Sequence, residues 1–176
     1  MSTKTENSVK WAIAMLSGAE TAEQVRVILK TSARAAVQAQ GATVVELDGD
    51  QCHYADEDAV SPLWKGERFP VTSCISGWAM LHRQTVVIPD IWLDERVPHD
   101  AYRPTFVRSL LMVPTTVGDG YPVGAVGAYW SYRHRAADRE VAALEALAEG
   151  AGRALQRILA LPDHPTKAVH AGVQVG

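Results

Sequence analysis

The stretch Ser109–Tyr132, SLLMVPTTVGDGYPVGAVGAYWSY, is two apolar runs parted by Gly118-Asp119-Gly120. Ser109 to Val117 and Pro122 to Tyr132 read as strands, and the glycines supply the turn chemistry between them. A connection this short joins antiparallel neighbours, because a parallel pair needs a crossover of a dozen residues or more. In the second run Gly124, Ala125, Gly127 and Ala128 are small enough for a neighbouring layer to approach closely.

Downstream, Val141, Leu144, Ala148, Ala151, Leu155 and Ile158 alternate three and four apart, the seam of a long helix that Pro162 stops. Asp138 and Glu140 suit its positive start, and Arg153 and Arg157 its negative end. Upstream, Trp11, Ala14, Met15 and Leu16 give a short helical face ending near Gly18. Thr21 and Gln24 have capping-box spacing ahead of a helix over 21–40, with Val25, Ile28, Leu29, Ala33, Ala36 and Val37 on one side. Ala42 to Leu47 and Cys52 to Ala55 read as a strand pair turning at Gly49. Residues 56–70 are charged and broken by Pro62, Gly66 and Pro70. Cys74 to His82 reads as a short helix with Ser73 as its N-cap, and Thr85 to Ile88 as a short strand. Helices gathered at both chain ends, with strands joined by tight turns between them, predict an α+β fold: an antiparallel sheet with terminal helices on one face.

Composition narrows the function. The 176 residues are 47% apolar and 21% charged with a net charge of −3, which fits one soluble domain with a proper core. Such a balance gives no basic surface for nucleic acid. No apolar run reaches the roughly 18 residues of a membrane span, and no signal peptide follows the polar start. Two cysteines, Cys52 and Cys74, do not make a secreted disulfide framework. A cytoplasmic location is expected, with a flexible start at 1–7, one domain at 8–160 and a flexible tail at 161–176.

Five segments in order are similar to the GAF domain, a small-molecule-sensing relative of PAS domains. They are Gly77-Trp78-Ala79 with Val86-Val87-Ile88-Pro89-Asp90, the Asp94-Glu95-Arg96 loop, Arg108 to Pro114, Val123 to Gly127, and the closing helix from Asp138 to Ala154. The resemblance implies a GAF/PAS-like sheet of five or six strands. A ligand cavity would lie between its other face and the elements at 60–108. It also implies signal transduction by a binding or regulatory module rather than an enzyme. Such a module would be a homodimer through 8–18 and 136–160, with an output protein such as a kinase as a further partner.

The family's known chemistries are tested one by one. A covalent bilin is not expected, because Asp90-Ile91 is followed by Trp92 and the Cys52-His53 pair falls in a hairpin strand. Asn7 is the only asparagine, so the family's cyclic-nucleotide signature is absent. Haem through His82 or His99 is not expected either, and no metal-ligand spacing occurs. The family's free methionine sulfoxide reductases use several closely placed cysteines, a pattern these two do not resemble.

Candidate ligand-binding residues are therefore Trp78, Asp90, Trp92, Arg96, Tyr102, Arg103, Phe106 and Tyr129, from the long furnished loop 89–108 and its neighbours. Arg96 or Arg103 would clamp a carboxylate or phosphate. For the aspartates the alternative is loop capping and pairing with Arg96, Arg103 or Arg108; for the aromatics it is core packing. Two other functions stay open: a thiol redox sensor or reductase using Cys74, activated at a helix start, with Cys52 as partner; and a dimerisation scaffold without ligand.

Overall fold

A computed structural model describes residues 2–160. Helices α1 (Ser2–Ser17) and α2 (Ala22–Ala36) lead into β1 (Gly41–Asp48), β2 (Gln51–Ala59) and the short β3 (Arg68–Pro70). Helix α3 (Ile75–His82), β4 (Val86–Ile88) and α4 (His99–Tyr102) follow. Strands β5 (Ser109–Val117) and β6 (Tyr121–Trp130) and helix α5 (Asp138–Leu159) complete the fold. The six strands form one sheet in the order β3-β2-β1-β6-β5-β4, every neighbouring pair antiparallel.

Both faces of this sheet are covered, which is why its central strands read as continuous apolar runs rather than alternating ones. The period of two still divides them. Leu111, Val113, Val126, Ala128 and Trp130 face α1, α2 and α5 in one core. Leu110, Met112, Ala125 and Tyr129 face a second core beneath α3 and the 60–108 elements. The terminal helices thus share one face, as expected, and the other face is left to the segment between the two hairpins.

Local signals act as anticipated at most ends. Thr21 caps α2 by accepting the Gln24 amide at 3.2 Å. Glu140 accepts the Ala137 amide at 2.8 Å and anchors the start of α5. Arg157 donates to the Leu16 and Ala19 carbonyls and so ties the end of α1 to α5.

Several elements differ from expectation, β2 among them, which runs to Ala59. Helix α1 runs back to Ser2, and α2 stops at Ala36, where Gln38 takes a positive φ of 50° and turns the chain toward β1. Strand β3, only three residues long, is invisible as a pattern because pairing with β2, not side-chain periodicity, makes it a strand. Cys74, not Ser73, occupies the N-cap of α3. The tail expected over 161–176 lies outside the described residues.

Candidate functional site

The second core is an aromatic chamber. Trp64 stands at its centre, edge-on to Tyr54, Tyr102 and Tyr129 with ring centroids 5.5, 4.7 and 5.5 Å away. Its indole N–H donates to the Ala101 carbonyl at 3.0 Å, which joins the segment ahead of β3 to α4. The Tyr129 and Thr43 hydroxyls hydrogen-bond at 2.9 Å, so the phenol on β6 is satisfied against β1. Burial raises the Tyr54, Tyr102 and Tyr129 phenols, which therefore stay neutral. Between Tyr54, Trp64, Phe69, Cys74, Pro98, Ala101 and Tyr102 a gap of about 10 Å³ is left, room for one water at most.

Both cysteines meet at the edge of this chamber. Strand alternation puts Cys52 and Tyr54 on the same face of β2, and the start of α3 lays Cys74 across them. Both thiols are buried in this same core and are not bridged. Cys74 Sγ also lies 3.3 Å from Ser76 Oγ, which in turn lies 3.1 Å from the Tyr54 hydroxyl. The neighbouring Cys52 thiol draws the Cys74 thiol down to about 6; burial opposes this, and Ser76 and the Gly77 amide reinforce it. Cys74 and burial push the Cys52 thiol up. The Pro70 carbonyl, 3.6 Å from Cys74 Sγ, accepts from the neutral thiol and is the one contact that works against ionisation.

The residues singled out in the sequence do not converge on one cavity. Tyr102 and Tyr129 belong to the chamber, and Phe106 packs against it. Trp78 is half-buried at the rim, with the Arg96 guanidinium 4.5 Å above its ring and His82 stacked on it at 4.0 Å. Trp92 and Arg103 form an outer pair 5.9 Å apart. Arg96 pairs with Asp94 at 2.7 Å, and Arg103 forms an exposed pair with Asp100 at 3.0 Å. Asp90 is buried, accepting from Arg108 at 2.9 and 3.0 Å, from Arg133 at 2.9 Å and from the Trp92 amide at 3.1 Å. The pairing alternative for the aspartates is thus what the structure contains. Tyr54, Trp64, Phe69 and Ser76 are the chamber residues that sequence reading missed. One signal was present: a tryptophan inside the charged, Pro- and Gly-broken stretch 56–70.

Asp90 gives a prediction. Its Arg108 hydrogen bond holds the carboxyl down at about 2 despite burial, with help from the Trp92 amide. A carboxyl lowered on folding stabilises above its ordinary value of about 4 and loses that contribution as pH falls toward the folded value. Asp90→Asn is expected to unfold at lower urea than the parent at pH 6, with the gap closing between pH 4 and pH 2.

The sequence profile described as the GAF domain matches residues 22–156. The chain belongs to the GAF domain family. No curated protein matches it. Among solved structures it is similar to the Neisseria meningitidis free methionine-R-sulfoxide reductase in complex with its substrate. The TM-score is 0.76 and the identity 16%, over 89% of this chain and 91% of that one. The reduced form of the Staphylococcus aureus reductase follows at TM-score 0.69 and 16% identity, over 86% and 94%. The GAF domain of an Acinetobacter phosphoenolpyruvate-protein phosphotransferase superposes at TM-score 0.76 with 12% identity, over 89% and 96%. The expectation that this GAF domain is a binding module and not an enzyme is overturned by the first two: enzymes share its fold across nearly their whole length. Among the described residues no helix is long and apolar enough to cross a membrane.

Proposed function

We propose that this GAF domain performs thiol–disulfide chemistry, with Cys74 as nucleophile and Cys52 as resolving thiol. The observation that supports it is that two unbridged, buried cysteines from separate elements lie in one chamber, where each shifts the other's thiol in opposite senses. A thiolate is the attacking form, and the environment favours it at Cys74 rather than Cys52.

In the first half-reaction Cys74 Sγ attacks one oxygen of a small peroxide. An S–O bond forms, the O–O bond breaks, and hydroxide or alkoxide leaves and takes up a proton. In the second, the Cys52 thiol gives up its proton and attacks the Cys74 sulfenic acid; the S–S bond forms and water leaves. Two thiols lose two electrons and one peroxide gains them, and an external dithiol restores the pair. A gap of about 10 Å³ favours the smallest peroxide over larger oxidants and leaves no room for a resident organic ligand.

One equivalent of hydrogen peroxide should remove two hydrogens from the intact mass and yield a single peptide pair linked through Cys52 and Cys74. Both thiols remaining free, under peroxide that fully oxidises an unstructured cysteine peptide, would sink the proposal.

A further inference from the structure

We infer that segment 60–67 is a gate over Cys74, with the Trp64 side chain as its plug and the Glu57 carboxylate as its latch. The inference rests on the thiol reading above for what the gate controls. The segment links β2 to β3 and is exposed at Val60, Ser61, Pro62, Lys65, Gly66 and Glu67, while Trp64 alone is buried, at 5% exposure. It is therefore a surface loop pinned to the core by Trp64, with half-buried Leu63 packed beside it. Its ends are held by backbone hydrogen bonds, Val60 to Gln40 at 2.9 Å and Gly66 and Glu67 to Tyr54 at 2.8 and 3.0 Å, and between them one carboxylate fastens the arc. Glu57 Oε2 accepts the Leu63 amide at 2.8 Å, and Oε1 accepts those of Trp64 and Lys65 at 2.9 and 2.6 Å. Lys65 adds an exposed ion pair to Asp56 at 3.2 Å. At the far end Gly66 holds a φ of 87°, a conformation only glycine adopts cheaply, and is anchored to Tyr54, so the arc that moves lies between Val60 and Gly66.

Three amides on one carboxylate make a latch that opens as a unit, because no single bond can be relaxed without moving the other two. Withdrawing the indole breaks its bond to Ala101 and clears an indole-sized space bounded by Tyr54, Tyr102 and Cys74. Closed, the site turns away all but the smallest oxidant; open, it admits an electrophile with a flat apolar body, such as an aromatic disulfide. Cys74 then attacks one sulfur of that disulfide, the S–S bond breaks, and the aromatic thiolate leaves.

The test compares hydrogen peroxide with 4,4′-dithiodipyridine, a neutral aromatic disulfide, on the full chain. Glu57→Gln keeps the shape but replaces one acceptor oxygen by a donor. It should speed the reaction of Cys74 with the disulfide about tenfold, the scale of one charge-assisted hydrogen bond, and leave the peroxide rate within about twofold. Trp64→Phe, a smaller plug, should shift the ratio of the two rates in the same direction. In the parent, the amides of Leu63, Trp64 and Lys65 should exchange together, faster than those of β5 and faster still in Glu57→Gln. Parallel changes in both rates, or Leu63, Trp64 and Lys65 exchanging only with global unfolding, would overturn the gate. A thiol inert to peroxide but gated toward the disulfide would instead overturn the peroxide chemistry and leave the gate standing.

Discussion

Peroxide-treated Cys52→Ser is expected to accumulate a sulfenic acid at Cys74, whereas Cys74→Ser forms neither sulfenic acid nor disulfide. The asymmetry follows from the donors around the two sulfurs. The Cys52 thiol and Ser76 hydroxyl around Cys74 draw it down to about 6, while Cys74 and burial push Cys52 up. At pH 7 a thiol at about 6 is ionised by about ten to one. Its alkylation rate should therefore climb to half its plateau near pH 6, more than two units below an ordinary thiol. Serine at position 52 keeps a donor facing Cys74, so that midpoint should move little; Cys52→Ala removes the donor and should raise it.

The same shift has a stability consequence with a definite sign. A thiol lowered on folding stabilises the protein above the ordinary thiol range and loses that contribution as pH falls through the folded value. The parent's advantage over Cys74→Ser should accordingly grow from pH 5.5 to pH 8. Above that range the raised Cys52 acts in the opposite sense. Urea midpoints across the interval check the direction, and an advantage that is flat or shrinks with pH would remove Cys74 as the ionised partner.

Gly77→Ala is expected to destabilise by about 3 kcal/mol, the upper part of the overpacking range, or roughly 6–12 °C in Tm for a chain of this size. A Cβ there would stand 1.9 Å from the Val71 carbonyl oxygen and 2.7 Å from its Cα. Helix propensity argues the other way, since alanine gains about 1 kcal/mol over glycine inside a helix. The steric term wins because its partner is backbone, which cannot rotate aside like the tip of a side chain. Val71 belongs to the turn that delivers Cys74 to Cys52, so the relief of this clash also displaces the thiol. Thermal melts and the Cys74 alkylation midpoint should shift together. Gly18→Ala, whose nearest neighbour would be the Met15 carbonyl at 3.6 Å, serves as the tolerated comparison.

Much of this molecule was open to reading before any coordinates. The seam from Val141 to Ile158 marks α5 because a helix with one buried side repeats every three or four residues. Gly118-Asp119-Gly120 marks the hairpin because two of its residues take positive φ, at Gly118 and Gly120. The pairing of Asp94 with Arg96 and of Asp100 with Arg103 was legible for the same reason: partners two or three residues apart are neighbours in almost any conformation. Asp90 and Arg108 are harder, since their contact spans a loop, yet the sequence offered them as partners.

Local chemistry thus determined by itself the long terminal helices, the hairpins and the α+β class, because periodicity, turn residues and caps act over a few positions; the family showed only as a resemblance of five ordered segments. Strand alternation then sets Cys52 and Tyr54 on one face of β2. Tertiary structure alone decided which elements lie over that face. Trp64 fills the chamber because Glu57, six to eight residues back, gathers the Leu63, Trp64 and Lys65 amides and folds the loop inward. Cys74 meets Cys52 because β3 adds to the sheet edge and Gly77 lets α3 close on Val71. Neither closure leaves a periodic trace: each depends on a few atoms of distant backbone coming within contact distance, and only the packed chain sets that distance.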